Sequence, residues 1–118
     1  MTAPRTPADD IPAAPPVACS LTRAGLAEQV DRWQRLAARA LAGHTQTADG
    51  VRLSFRAEPG AEQELRALAA VEAGCCSWAT WTVRASATKV VLDVRAAGDG
   101  VAALHGMFAG MRPAPLPR

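Results

Sequence analysis

The chain of 118 residues reads as one α+β domain in the order α-β-α-β-β-α. Its expected architecture is a three-stranded sheet with helices packed on it, an incomplete ferredoxin-like sandwich. Three observations predict this. Apolar residues recur at spacings of three and four in three separate segments, as on amphipathic helices. Apolar and polar residues alternate in segments between them, as on half-buried strands. Clusters of Gly, Pro, Asp and Ser punctuate the boundaries.

Each element follows from its residues. Ser20 or Thr22 can cap a helix that begins near Arg23. Leu26, Val30, Trp33, Leu36, Ala37, Ala40 and Leu41 mark its apolar stripe, and Gly43 is expected to end it. Residues 44–50 then read as a polar loop. Val51, Leu53 and Phe55 alternate with Arg52, Ser54 and Arg56, a clear strand. Pro59-Gly60 stops that strand and starts a second helix over residues 61–73, with Leu65, Leu68, Ala69 and Glu72 on one face. Gly74 is its expected terminator. Residues 78–84 and 90–94 form a hairpin around the turn at residues 86–89. Gly98-Asp99-Gly100 breaks the chain again, and a last helix carries Val101, Leu104, Phe108 and Met111. The β-α-β unit should cross over right-handedly. A three-stranded sheet leaves two edges, so a homodimer by edge pairing is a reasonable expectation.

The ends do not belong to this pattern. Residues 1–16 are rich in Pro and Ala, residues 113–118 in Pro, and both are expected to be disordered tails. The domain is then residues 17–112.

Composition excludes several function classes. A net charge of +2, no tyrosine and no Lys/Arg run interleaved with aromatics argue against nucleic-acid binding. Arg32, Arg35 and Arg39 share a helix edge and read as a solvated face. No apolar run approaches the roughly 20 residues of a membrane span, and prolines with Asp9-Asp10 stand where a secretion signal would be apolar. The expected location is the cytoplasm, where cysteines remain thiols.

The chemistry is concentrated in Glu72-Ala73-Gly74-Cys75-Cys76-Ser77-Trp78. Glu72 lies on the apolar stripe of the second helix, where a carboxylate is costly without a partner. Three and four residues later come two adjacent thiols, within its reach on a helix surface. Neighbouring helical side chains diverge, so the two sulfurs converge only if the backbone turns at the corner. Buried cysteine often acts as a small hydrophobe, and that structural reading stands beside the chemical one. A third cysteine, Cys19, is the remaining thiol in the sequence. Soft thiolate sets suit copper(I), zinc and other thiophilic ions. Zinc-finger spacing is absent, and His44 and His105 are isolated, the first expected in solvent and the second at a core edge. The C-terminal end of a helix disfavours a thiolate, which weakens a nucleophilic role for the pair. Trp33, Trp78 and Trp81 are candidate walls of an apolar pocket around the corner.

These residues resemble a known pattern. Cys19-Ser20-Leu21, a helix with Trp33, the strand Val51-Arg52-Leu53-Ser54-Phe55, then Glu72 with Cys75-Cys76 and an aromatic are similar to a family of small actinobacterial proteins. Related modules are attached to heavy-metal-responsive regulators of the mercury-resistance type. The family usually has Pro-Phe after the cysteine pair, where this chain has Ser77-Trp78. The regulators' DNA-binding helices have no counterpart here. The resemblance implies handling of a soft metal or metalloid ion (mercury, copper(I) or zinc), with Cys19, Cys75 and Cys76 as ligands. Glu72 would be a fourth ligand or would hydrogen-bond a ligand. A second reading makes the protein an enzyme with a small apolar pocket, in which cysteine cleaves a metal–carbon bond and Glu72 donates the proton. A third makes it a dimeric interaction domain with buried structural cysteines.

Overall fold

The computed structural model describes residues 22–113. The expected tails 1–16 and 113–118, apart from residue 113, and with them Cys19, lie outside the described residues. The element order is α1 (Arg23–Ala40), β1 (Leu41–Thr47), β2 (Gly50–Arg56), α2 (Ala61–Cys75), β3 (Ala79–Ala85), β4 (Lys89–Ala96) and α3 (Asp99–Phe108).

The sheet has four strands rather than the three expected, all antiparallel, in the order β1-β2-β4-β3. The additional strand is β1, where the sequence suggested a polar loop. Gln46 and Thr45 are exposed on a sheet edge and Gly43 has no side chain to alternate, so the segment carries no period-two signal. Its strand character comes from the ladder with β2, interrupted by a register shift between Leu41 and Gly43. Tertiary pairing therefore overrides a weak local preference. The first helix is correspondingly shorter than expected. It ends at Ala40, and Leu41 already has extended backbone (φ −64°, ψ 122°), so no glycine is needed to stop it.

β2 and β3 both pair antiparallel with β4, so they run parallel to each other with β4 between them. Helix α2 links them, which makes a split β-α-β unit. Val51, Leu53 and Phe55 of β2 stand opposite Val94, Leu92 and Val90 of β4, and all six are buried. This face packs against Leu36, Leu65, Leu68, Leu104 and Phe108 from the three helices in one core. The other face is polar. Asp93 accepts from Arg52 at 2.7 Å and from Arg84 at 2.5 Å, and Asp49 accepts from Arg95 at 2.8 Å. The Arg95 hydrogen bond also holds the Asp49 carboxyl below its usual range. The alternation thus sorts a two-layer fold, with helices on one side and solvent on the other.

Two contacts set the helices in place. Arg32 of α1 donates to both carboxylate oxygens of Glu64 on α2, at 2.8 and 3.3 Å. That hydrogen bond is the main reason the Glu64 carboxyl lies below its ordinary range. His105 of α3 directs Nε2 at the carbonyls of Gly50 (2.9 Å) and Thr47 (3.2 Å), which ties α3 to the β1–β2 turn. His105 is half-buried and hydrogen-bonded, as expected of a core-edge residue. His44 is different. Instead of facing solvent it is half-buried on β1, with Nδ1 2.9 Å from the Met111 carbonyl. The C-terminal segment after α3 is thereby fastened to the edge strand.

Three substitutions test this packing. A Cβ on Gly50 would come within 1.8 Å of the Val94 carbonyl oxygen, so Gly50→Ala must separate β2 from β4. It should lower stability by about 1–3 kcal/mol in denaturant titrations. Gly106→Ala, where a Cβ meets nothing, should instead stabilise α3 by about 0.4–1 kcal/mol. The Arg32–Glu64 pair predicts a pH dependence. Because the folded Glu64 value is lowered, its contribution is fully present above the unfolded value of about 4.3 and is lost as pH falls through the folded value. Both side chains are about one-third exposed (29% and 33%), so solvent screening keeps the effect below about 1 kcal/mol. Arg32→Ala should therefore destabilise at pH 7 and have little effect at pH 3, measured by thermal unfolding at both.

Candidate functional site

The stripe of α2 builds the site. Ala61, Leu65, Leu68, Ala69 and Glu72 are buried on one face, with the three- and four-residue spacing of an amphipathic helix. Glu72 is the last of them and is only 4% exposed. Its position would be prohibitive without donors. Three are present. Gln29 Nε2 and Trp33 Nε1 of α1 both donate to Glu72 Oε1 at 3.2 Å, and the Cys76 thiol points at Oε2 at 3.6 Å. The Gln29 amide also donates to the Leu68 carbonyl at 3.1 Å. Gln29, itself 4% exposed, is a functional residue that the apolar pattern does not reveal. Its signal is positional: it lies four residues before Trp33 on the same side of α1.

That detail changes the face of α1. The buried residues are Gln29, Trp33, Leu36, Ala37 and Ala40. Leu26 and Val30, expected in the core, are instead 44% and 45% exposed. The helix is rotated toward Glu72 because its Gln29 and Trp33 donors satisfy the buried carboxylate, whereas Leu26 and Val30 require no specific partner.

The cysteines straddle the end of α2. Cys75 is its last residue, and Cys76 leaves the helix with φ −119° and ψ 63°. The Cys76 amide still donates to the Glu72 carbonyl at 2.5 Å, and a turn follows in which Ala79 N–H donates to the Cys76 carbonyl at 3.2 Å. Gly74 is not the terminator expected; the helix continues through it, and the exit at Cys76 needs no positive φ. The change of backbone direction brings the sulfurs to 3.6 Å, in van der Waals or weak hydrogen-bond contact and without a disulfide. Cys76 is buried and Cys75 half-buried. One ligand atom from each of Glu72, Cys75 and Cys76 lies within 4.8 Å of the others. Two bonds of about 2.3 Å from sulfurs 3.6 Å apart enclose an angle of about 103° at the shared atom. A linear two-coordinate ion would need the sulfurs about 4.6 Å apart. The pair is therefore set for tetrahedral or pyramidal coordination.

An apolar cleft of about 640 Å³ opens over this corner, between α1 and α3. Glu72, Cys76, Trp33 and Trp78 line it, with Leu26 and Val30 on one side and Met107 and Phe108 on the other. Trp33 and Phe108 meet edge-to-face, with ring centroids 5.6 Å apart. Trp81 is not among the lining residues. It packs behind Phe108, with centroids 6.1 Å apart, and donates its indole N–H to the Cys76 carbonyl at 3.4 Å. Two of the three tryptophans expected to form the pocket thus line it, and the third supports the corner.

No family model, curated protein or solved structure matches this chain. No described helix is long and apolar enough to cross a membrane.

The hydrogen bonds around Glu72 predict a strong coupling. Glu72→Leu leaves the buried Trp33 indole N–H without its acceptor and takes one of two acceptors from the Gln29 amide, which keeps the Leu68 carbonyl; the cost should be about 1–3 kcal/mol for the orphaned group. Gln29→Leu together with Glu72→Leu should cost less than the sum of the single changes, by about 0.5–3 kcal/mol. A double-mutant cycle by urea unfolding measures this directly.

Proposed function

We propose that this domain binds a soft metal or metalloid ion through the thiols of Cys75 and Cys76. The single observation that carries this reading is the convergence of those sulfurs with a Glu72 carboxylate oxygen inside 4.8 Å. Two cysteines that only fill a core have no need to converge with a carboxylate, whereas two soft donors at one point suit a thiophilic ion. Zinc, or mercury(II) and copper(I) in three-coordinate form, fits the angle better than a linear ion. Glu72 Oε2, which faces Cys76, supplies a further oxygen or accepts a hydrogen bond from a ligand.

Cys19 is the proposed third sulfur. Its support is the resemblance, in which a cysteine stands immediately before the first helix, as Cys19 does here. The resemblance to modules associated with heavy-metal regulators agrees with this function. The split β-α-β unit also supports reading the fold as ferredoxin-like, with β1 occupying the edge beside β2 that the final strand would fill.

The test is metal-dependent stability. Zinc or mercury(II) should bind the reduced protein at one ion per chain and stabilise it by about 2.7 kcal/mol at a hundredfold excess over Kd, seen as a rise in its thermal midpoint. Cys75→Ser/Cys76→Ser should fold and lose most of that shift, and Cys19→Ser should lose part of it. A wild-type protein whose midpoint does not respond to any thiophilic ion would refute the proposal.

A further inference from the structure

We propose that the thiol pair and the apolar cleft are one site, and that its ligand is a trivalent organoarsenical. Arsenic would sit on Cys75 and Cys76, with its organic substituent in the cleft. The inference rests on the reading that these two thiols bind a soft atom, and it names the class of that atom's compound.

The size of the cleft is the first reason. A bare ion occupies the space between its donors and needs no cavity beyond it. The cleft of about 640 Å³ is in the range of small-molecule sites. Cys76 is among the residues that line it, and its rim carries Leu26, Val30 and Met107, which are 43–45% exposed. An aryl group entering from the arsenic would cover that apolar surface, and removing apolar area from water is favourable.

Geometry is the second reason. Trivalent arsenic holds three substituents in a pyramid because a lone pair occupies the fourth direction. The angle of about 103° set by sulfurs 3.6 Å apart suits such a centre. Two positions go to the sulfurs, and the third is left for carbon.

The bonding step balances without an oxidant or reductant. In R–As(OH)2 two As–O bonds break and two As–S bonds form. Each thiol proton leaves with a hydroxide as water, and arsenic remains trivalent. The product R–As(Sγ)2 carries no charge, which suits a buried position beside Trp33 and Phe108.

Phenylarsonous acid, methylarsonous acid and inorganic arsenite are the probes, titrated calorimetrically into the full chain reduced with a phosphine. Mass spectrometry should show one phenylarsenic per chain with both thiols consumed. Phenyl should bind at least about tenfold more tightly than methyl, since each added carbon buried in the cleft contributes severalfold. Val30→Asp and, separately, Met107→Asp change exposed rim positions. Each should reduce the phenyl-to-methyl ratio toward one while leaving arsenite affinity within about threefold. Equal affinities for phenyl and methyl in the wild type, or a ratio untouched by both variants, would overturn the proposal. Zinc binding without binding of any arsenical would overturn it while leaving the ion reading intact. Failure of every ion and every arsenical would overturn both.

Discussion

A carboxylate buried at the end of α2 is the constraint on which the rest of this molecule depends. Glu72 is surrounded by apolar packing and remains there because α1 brings an amide and an indole to one of its oxygens, while Cys76 faces the other. A buried acceptor left without donors costs more than a typical hydrogen bond contributes. The register of α1 against α2 is therefore decided by polar satisfaction as well as by hydrophobic area. Arg32 and Glu64 make a second bridge between the same helices, about two turns away along α2 from Glu72.

The cleft is a consequence of that register. With Gln29 and Trp33 turned inward, Leu26 and Val30 cannot also reach the core. They form instead one side of an open groove whose other side is α3. His44 closes the arrangement from the sheet edge by holding the Met111 carbonyl, just beyond α3. The opposite sheet face is crossed by the ion pairs Arg52–Asp93–Arg84 and Arg95–Asp49. Among the described residues, the thiol pair and the large exposed apolar side chains Leu26, Val30 and Met107 thus come together at one cleft.

Much of the fold was legible because burial has a period. The strand with Val51, Leu53 and Phe55, the β3–β4 hairpin and the stripe of α2 all repeat with the spacing of their structure. The strand β1 was not legible, because an edge strand with exposed Thr45 and Gln46 looks the same as a polar loop. What makes it a strand is hydrogen bonding to β2, a partner that local sequence does not describe. The buried face of α1 departs from its apolar stripe for a related reason. Leu26 and Val30 match the apolar template better than Gln29, yet the template does not know that a carboxylate waits on the facing helix.

The sequence by itself determined that the chain is a small α+β domain and that Glu72, Cys75 and Cys76 share one corner. Spacing along a helix is a local property, and the three residues are too close in the chain to be far apart in space. Tertiary structure alone decided what the corner can do. The 3.6 Å approach of the sulfurs needs the backbone to leave the helix at Cys76. The hydrogen bonds to Glu72 come from residues 39 and 43 positions away. The cleft exists only because helices from opposite ends of the chain stand apart above that corner. Distances set by packing between remote segments are not encoded in any short stretch of residues.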